Sequence, residues 1–144
     1  MKKILRVALG TDHAGYTLKE VLKKHLLSKG IDVLDQGTFS ETPIDYPAII
    51  RKACAVVLEQ NCPGIVLGGS GIGESIAANK VRGIRAARCC TVDDAKLSRQ
   101  HNDANVLSLG GRLLDPELAR KMVDAFLETE FEGGRHVARV GDLE

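Results

Sequence analysis

A chain of 144 residues is one domain's worth of sequence, enough to bury about 68–70% of the unfolded chain's surface in a single core. Lys plus Arg number 20 against 19 Asp plus Glu, and aromatic residues make up 3% of the chain. No net field therefore gathers nucleic acid or an anionic membrane, and few rings are present to stack on bases, so small-molecule partners are expected.

The start, Met1-Lys2-Lys3-Ile4-Leu5, resembles the opening of a secretory leader, but Arg6 and Asp12 cut the apolar run short. No stretch approaches the roughly 20 apolar residues of a membrane span. A cytoplasmic protein is the expectation. None of the four cysteines, Cys54, Cys62, Cys89 and Cys90, forms a CxxC motif, so reduced thiols are expected. Ligand pairs at zinc-finger spacing are absent from the sequence, and neither a metal nor a cofactor is expected.

Along the chain, the apolar run Ile4 to Leu9 predicts a strand ending at Gly10. After Thr11-Asp12-His13-Ala14-Gly15, the spacing of Leu18, Val21, Leu22, His25 and Leu26 predicts a helix closed by Gly30. Ile31 to Leu34 reads as a second strand. After the Asp45-Tyr46-Pro47 turn, Ile49, Ile50, Ala53, Cys54, Val57 and Leu58 recur at helical spacing. The alternation continues through a strand Gly64 to Leu67, a glycine-rich turn, a helix Ser75 to Lys80 and a strand Ile84 to Cys89. A helix Asp93 to Arg99, a strand Asn105 to Leu109 and a helix Pro116 to Leu127 complete five βα units.

Right-handed crossovers then require an α/β fold, a three-layer α/β/α sandwich with a five-stranded parallel sheet, Rossmann-like or flavodoxin-like. Residues 1–144 read as a single domain, with 131–144 a polar tail expected to lie across a second subunit. Ligands of such sheets bind beyond the carboxyl ends of the strands. That rule directs attention to Thr11 to Gly15, Gly68 to Ser75, Asn102 and its neighbours, and Arg112.

Gly68-Gly69-Ser70-Gly71-Ile72-Gly73-Glu74-Ser75 follows a buried strand and opens a helix, an arrangement that aims backbone N–H groups at an anion. It is not the dinucleotide fingerprint, because Glu74 stands where the last glycine belongs. It matches a P-loop at every fixed position except the lysine, which Glu74 replaces. A carboxylate there repels the phosphates that the lysine would attract. The turn instead suits a small substrate that develops negative charge, with Gly69, Ser70, Gly71, Ile72 and Gly73 holding an oxyanion and Glu74 acting as base. On the turn alone a second reading stands, in which the glycines permit a tight turn and Glu74 complements the helix dipole.

Asp12-His13 follows the first strand and Ser98 to Asp103 precedes the fifth; both are expected near the crevice. Arg112, Arg135, His136 and Arg139 are forked or ring cations suited to a phosphate monoester, or else a solvated basic tail.

Seven segments together resemble one family over essentially the whole chain. They are Asp12 to Gly15, Asp45 to Pro47, Gly69 to Gly73, Ile76 to Lys80, Gly83 to Ala86, Ser98 to Val106 and Gly133 to Val140. The family is that of ribose-5-phosphate isomerase B and its relatives among galactose-6-phosphate isomerases. The resemblance implies metal-free interconversion of ribose 5-phosphate and ribulose 5-phosphate through an enediolate, in the pentose phosphate pathway. It further implies a homodimer, or a tetramer, whose sites draw on two chains. It assigns ring opening to Asp12 and His101, oxyanion binding to Gly69 to Gly73 with Asn102, phosphate binding to His13, Arg112, Arg135 and Arg139, and pocket shape to Tyr46. Many members carry a cysteine as base where this chain has Gly68; a second branch uses a glutamate at the position of Glu74, and this chain resembles that branch.

Three alternatives remain open at this level. The same chemistry could act on allose or galactose 6-phosphate or on a four-carbon erythrose or erythrulose phosphate, since one carbon with its hydroxyl is a question of pocket size. A flavodoxin-like sheet also serves non-catalytic phosphometabolite-binding modules. A redox role for Cys89-Cys90 is the weakest, because the pair lacks CxxC spacing at a helix start.

Overall fold

The computed structural model describes residues 3–144, so Met1 and Lys2 of the leader-like opening lie outside the described residues. Five strands form one parallel sheet: β1 (Arg6–Thr11), β2 (Asp32–Asp35), β3 (Gly64–Gly68), β4 (Ala86–Arg88) and β5 (Val106–Gly110). The strand order is β2-β1-β3-β5-β4. β3 and β5, buried throughout, are the apolar runs that a doubly covered sheet demands. The helices are α1 (Tyr16–Ser28), α2 (Tyr46–Gln60), α3 (Ile72–Asn79), α4 (Val92–Asn102), α5 (Pro116–Glu128) and α6 (His136–Gly141).

Each face of the sheet buries its own core. Leu18, Leu22 and Leu26 of α1 join Ala95 of α4 and Met122 and Phe126 of α5 on one side. Ile50, Ala53, Cys54 and Val57 of α2 and Ala78 of α3 meet Ala8 and Val66 on the other. The expected three-layer α/β/α sandwich is therefore present. No helix among the described residues is long and apolar enough to cross a membrane.

Local chemistry fixes the helix ends. The Thr91 hydroxyl accepts from the Asp94 N–H at 3.0 Å, while the Asp94 carboxylate reaches back to the Cys90 N–H at 3.0 Å. This reciprocal cap starts α4. Asp115 caps α5 with Pro116 in its first turn, and Asn61 closes α2 in the left-handed conformation.

The tail is folded within its own chain. Residues 131–144 are polar, yet they hold a folded element, and His136 is buried. The Glu132 N–H donates to the Gln100 carbonyl at 3.1 Å, the His136 ring stacks on His101 with centroids 4.5 Å apart, and Arg85 meets Glu144 at 3.7 Å. Anchoring comes from backbone bonds and a ring stack, which apolar patterning does not register.

Candidate active site

The strand order decides what meets at the carboxyl end of the sheet. β1 leads outward to β2 while β3 begins the other half, so the crevice opens between the ends of β1 and β3. Because β5 is threaded between β3 and β4, the loop after it, Gly110-Gly111-Arg112, abuts the loop after β3. The Gly111 N–H donates to the Gly68 carbonyl at 2.7 Å and the Arg112 N–H to that of Gly69 at 3.1 Å. An open cleft there is lined by Asp12, His13, Tyr46, Ser70, Glu74 and Arg112, with Gly69, Ile72 and Gly73 in its wall.

The glycine-rich turn is held from below. Gly71 has φ +80°, a conformation that disfavours any side chain, and a Cβ there would press on the backbone of Leu109. The Ser108 hydroxyl, buried in the centre of β5, donates to the Gly71 carbonyl at 2.7 Å, and the Arg88 Nε–H donates to that of Ser70 at 2.9 Å. Sequence reading passed over Ser108; a lone hydroxyl in the apolar run Val106-Leu107-Ser108-Leu109 was the available signal.

Glu74 lies in the first turn of α3, three residues past the turn's left-handed glycine, and is 4% exposed. Burial raises its carboxyl above the ordinary glutamate range; the N–H groups of Glu74 and Gly71 pull it back in part, and the charge of Asp12 pushes it up again. Its carboxylate fills the space where a side chain at Gly68 would begin, so a Cβ at Gly68 would overlap the Glu74 carboxylate. The Ile72 N–H of the turn is already engaged by the Ser70 hydroxyl at 3.1 Å.

Asp12, also buried, accepts from the N–H groups of Ala14 and Gly15 at 2.9 and 3.3 Å. The Ile44 N–H donates to His13 Nδ1 at 3.1 Å. Nδ1 is thereby an acceptor, which leaves the proton of the neutral ring on Nε2. Tyr46, at the start of α2, covers Gly73 closely enough that a Cβ on that glycine would meet the ring.

His101, Asn102, Arg135 and Arg139 do not join this cleft within one chain. His101 and Asn102 end α4, which feeds β5 at its amino end, whereas the cleft sits past the strands' carboxyl ends. The five residues of β5 alone separate the two ends by about 16 Å. The expectation that the segment before the fifth strand reaches the same crevice is corrected: in a parallel sheet, residues before and after a strand occupy opposite ends. His101 instead stacks on His136, with planes 13° apart. Glu132 Oε1 lies 3.8 Å from both Nε2 atoms. Desolvation, then the positive fields of His101, Arg135 and Arg139, holds His136 below the ordinary imidazole pKa.

The cysteines are free; Cys54, Cys62 and Cys89 are buried, Cys90 is exposed, and none lines the cleft.

Residues 7–143 match the model of the ribose/galactose isomerase family. Ribose-5-phosphate isomerase B of Escherichia coli is 48% identical over 141 residues, 97% of this chain and 93% of that protein. The crystal structure of a ribose 5-phosphate isomerase from Thermotoga maritima superposes with a TM-score of 0.94 at 49% identity, covering 96% of this chain and 97% of that one. Ribose-5-phosphate isomerase B of Mycoplasma genitalium, solved with bound ribulose 5-phosphate, gives 0.92 at 37% identity, covering 96% and 93%.

Proposed function

The chain belongs to the ribose/galactose isomerase family, and on that premise we propose that it interconverts D-ribose 5-phosphate and D-ribulose 5-phosphate. The reaction moves one proton between carbons 2 and 1, with the proton of the carbon 2 hydroxyl passing to the carbon 1 oxygen. Glu74 takes the carbon 2 proton and returns it to carbon 1. The intervening enediolate carries its charge on oxygen, facing the amides of Gly69, Ser70 and Gly73. His13 and Arg112 hold the phosphate, with Nε2–H of His13 as its donor. Asp12 assists ring opening, and Tyr46 limits the length of the sugar.

The observation that carries this reading is the overlap between the Glu74 carboxylate and the place of a side chain at Gly68. Where relatives are expected to present a cysteine thiolate, this chain presents a carboxylate at the same point. Desolvation raises its basicity toward the working pH.

His101 as proton donor in ring opening, Asn102 beside the oxyanion, and Arg135 and Arg139 on the phosphate must then come from a second copy of the chain. Their position at the opposite end of the sheet from Glu74 is what supports a homodimer with shared sites. A charged phosphate ester does not cross a bilayer unaided, so the cytoplasm, where such esters are made, is the compartment we assign.

Ribulose 5-phosphate formation by the EDTA-treated protein, beside Glu74→Gln, tests the proposal. Parent turnover with a loss of about a hundredfold or more in the variant is expected of a general base. Turnover that survives the substitution would remove Glu74 as the base. No turnover of the pentose phosphate, with turnover of a four- or six-carbon sugar phosphate, would reassign the substrate.

A further inference from the structure

Outside the cleft, three side chains with metal-ligating atoms converge at the junction of α4 and the tail. One ring nitrogen each of His101 and His136 and one carboxylate oxygen of Glu132 all lie within 4.8 Å of one another. The chain is built to bring them there. The Arg99 Nε–H donates to the Thr129 carbonyl at 3.1 Å and the Glu132 N–H to that of Gln100 at 3.1 Å, so the segment after α5 is tied to the last turn of α4. Gly133 and Gly134 then take φ of +72° and +56°, consecutive left-handed steps that turn the chain back and lay His136 on His101.

The contacts within the cluster are not hydrogen bonds. Glu132 Oε1 stands 3.8 Å from each imidazole Nε2, beyond the range in which an N–H and a carboxylate satisfy each other. A tetrahedral zinc ion with ligands at about 2.0–2.2 Å separates its donors by about 3.3–3.5 Å. The two histidine–glutamate pairs need to close by only a few tenths of an ångström. The parallel imidazoles need one ring to turn so that both lone pairs point at a common centre. His136 is buried and fixed, whereas the side chains of His101 and Glu132 are 40% and 51% exposed and have room to turn.

We propose that His101, Glu132 and His136 form a binding site for a divalent cation of the zinc class. Two imidazoles and one carboxylate leave a fourth position open to water, the donor set of an exchangeable site. Glu132 supplies one negative charge against the dication, while Arg135 and Arg139 oppose it, so the ion is held reversibly and chelators remove it. Spacing rules of the finger type overlook this cluster because His101 and His136 lie far apart in sequence and only the fold joins them.

Occupancy has a consequence that rests on the proposed role of His101. A metal on its Nε2 takes the lone pair with which that ring exchanges protons, so zinc inhibits ring opening without touching Glu74.

Chelator-stripped protein is dialysed against zinc chloride and its bound metal measured, beside Glu132→Gln and His136→Asn. The parent is expected to retain one zinc per chain, with retention weakened by roughly tenfold or more in each variant. Cobalt in place of zinc should give the intense visible absorption of a low-symmetry site in the parent and lose it in both variants. No retained metal, or equal retention by parent and variants, overturns the site. The ratio of turnover with and without zinc is then compared in parent and Glu132→Gln. Zinc inhibition of the parent, reversed by EDTA and relieved in the variant, is the expected outcome. Binding without inhibition overturns the regulatory half and, with it, the role of His101, while the metal site and the Glu74 mechanism stand.

Discussion

The role proposed for Glu74 makes it two things that conflict: a strong base and a buried charge. Burial and the nearby Asp12 raise its pKa, so the folded protein binds that proton at a pH where the unfolded chain does not. Above the raised pKa the ionised carboxylate therefore costs stability. The cost fades as pH falls from the raised value toward the ordinary glutamate value of about 4.3 and is gone below it. Glu74→Gln removes the charge and is expected to raise Tm at pH 7.5 by about 2–4 °C, the equivalent of about 1 kcal/mol for a domain of this size. That advantage should shrink toward pH 4. Calorimetric scans across this window check it, and a difference constant with pH, or a less stable variant at pH 7.5, would contradict a destabilising buried charge on Glu74. The same desolvation shifts the buried thiols in the same direction, with the opposite consequence for reactivity. Burial pushes Cys54 up to about 11 and Cys89 up to about 12, with Asp94 and Cys90 adding to the latter, and burial also raises Cys62. At neutral pH these three stay protonated and unreactive, so iodoacetamide should modify exposed Cys90 and leave turnover unchanged. Activity lost in step with a cysteine adduct would move the base from Glu74 to a thiol.

At the scale of elements, the loop after β2 shows how a distant charge serves the cleft. Lys19 of α1 is wholly buried, with Nζ donating to both oxygens of Asp35 at 2.9 and 2.8 Å and to the Thr38 carbonyl at 2.7 Å. The rings of Tyr16 and Phe39 flank it at 5.4 and 4.6 Å. This clamp holds the start of the loop that leads to Ile44, whose N–H donates to His13 Nδ1. Lys19→Met leaves Asp35 buried without its main partner and should cost about 3–5 kcal/mol in urea unfolding at pH 7. Burial alone would raise Asp35, but Lys19, the Gly37 N–H and Lys23 together hold it below the usual carboxylate range. The stabilisation is thus present above the ordinary aspartate pKa of about 3.9 and is lost as pH falls through the depressed value, so parent and variant should converge in acid. A variant as stable as the parent at pH 7 would sink the clamp.

The clamp was not legible in the sequence, where Lys19 sits among Lys19-Glu20 and Lys23-Lys24 as one more polar residue of a helix. The alternation of apolar strands with helical periodicity was legible, because burial on two faces imposes it. The expected helix at Ser75 begins at Ile72 instead, since Gly71-Ile72-Gly73 carries no apolar period and only the left-handed cap marks the start. β4 shrinks to Ala86–Arg88 because, at the sheet edge, it has β5 alone to pair with.

For the whole molecule, topology divides the residues assigned to the reaction into two sets. Asp12, His13, Tyr46, Gly69 to Gly73, Glu74 and Arg112 gather at the carboxyl end of the sheet; His101, Asn102, Arg135 and Arg139 lie toward the other. The family resemblance proposed the members of both sets, while their separation follows from the βα order, since His101 precedes a strand and Glu74 follows one. If the two sets meet only across a twofold interface, each site takes its base from one chain and its ring-opening histidine from the other. Glu74→Gln and His101→Asn are then complementary defects. A mixed dimer holds one site with both lesions and one with neither. Random reassembly of equal amounts makes half the dimers mixed, so about a quarter of the parent's turnover should return from two nearly inactive proteins. Unfolding and refolding the two variants together, with each refolded alone as control, reads this directly. Recovery near a quarter requires a site shared between chains. If the mixture stays as inactive as its components while the refolded parent recovers in full, His101 does not complete a partner's site, and since it does not reach Glu74 within its own chain the proton donor must be a residue already at the cleft, with Asp12 the first candidate.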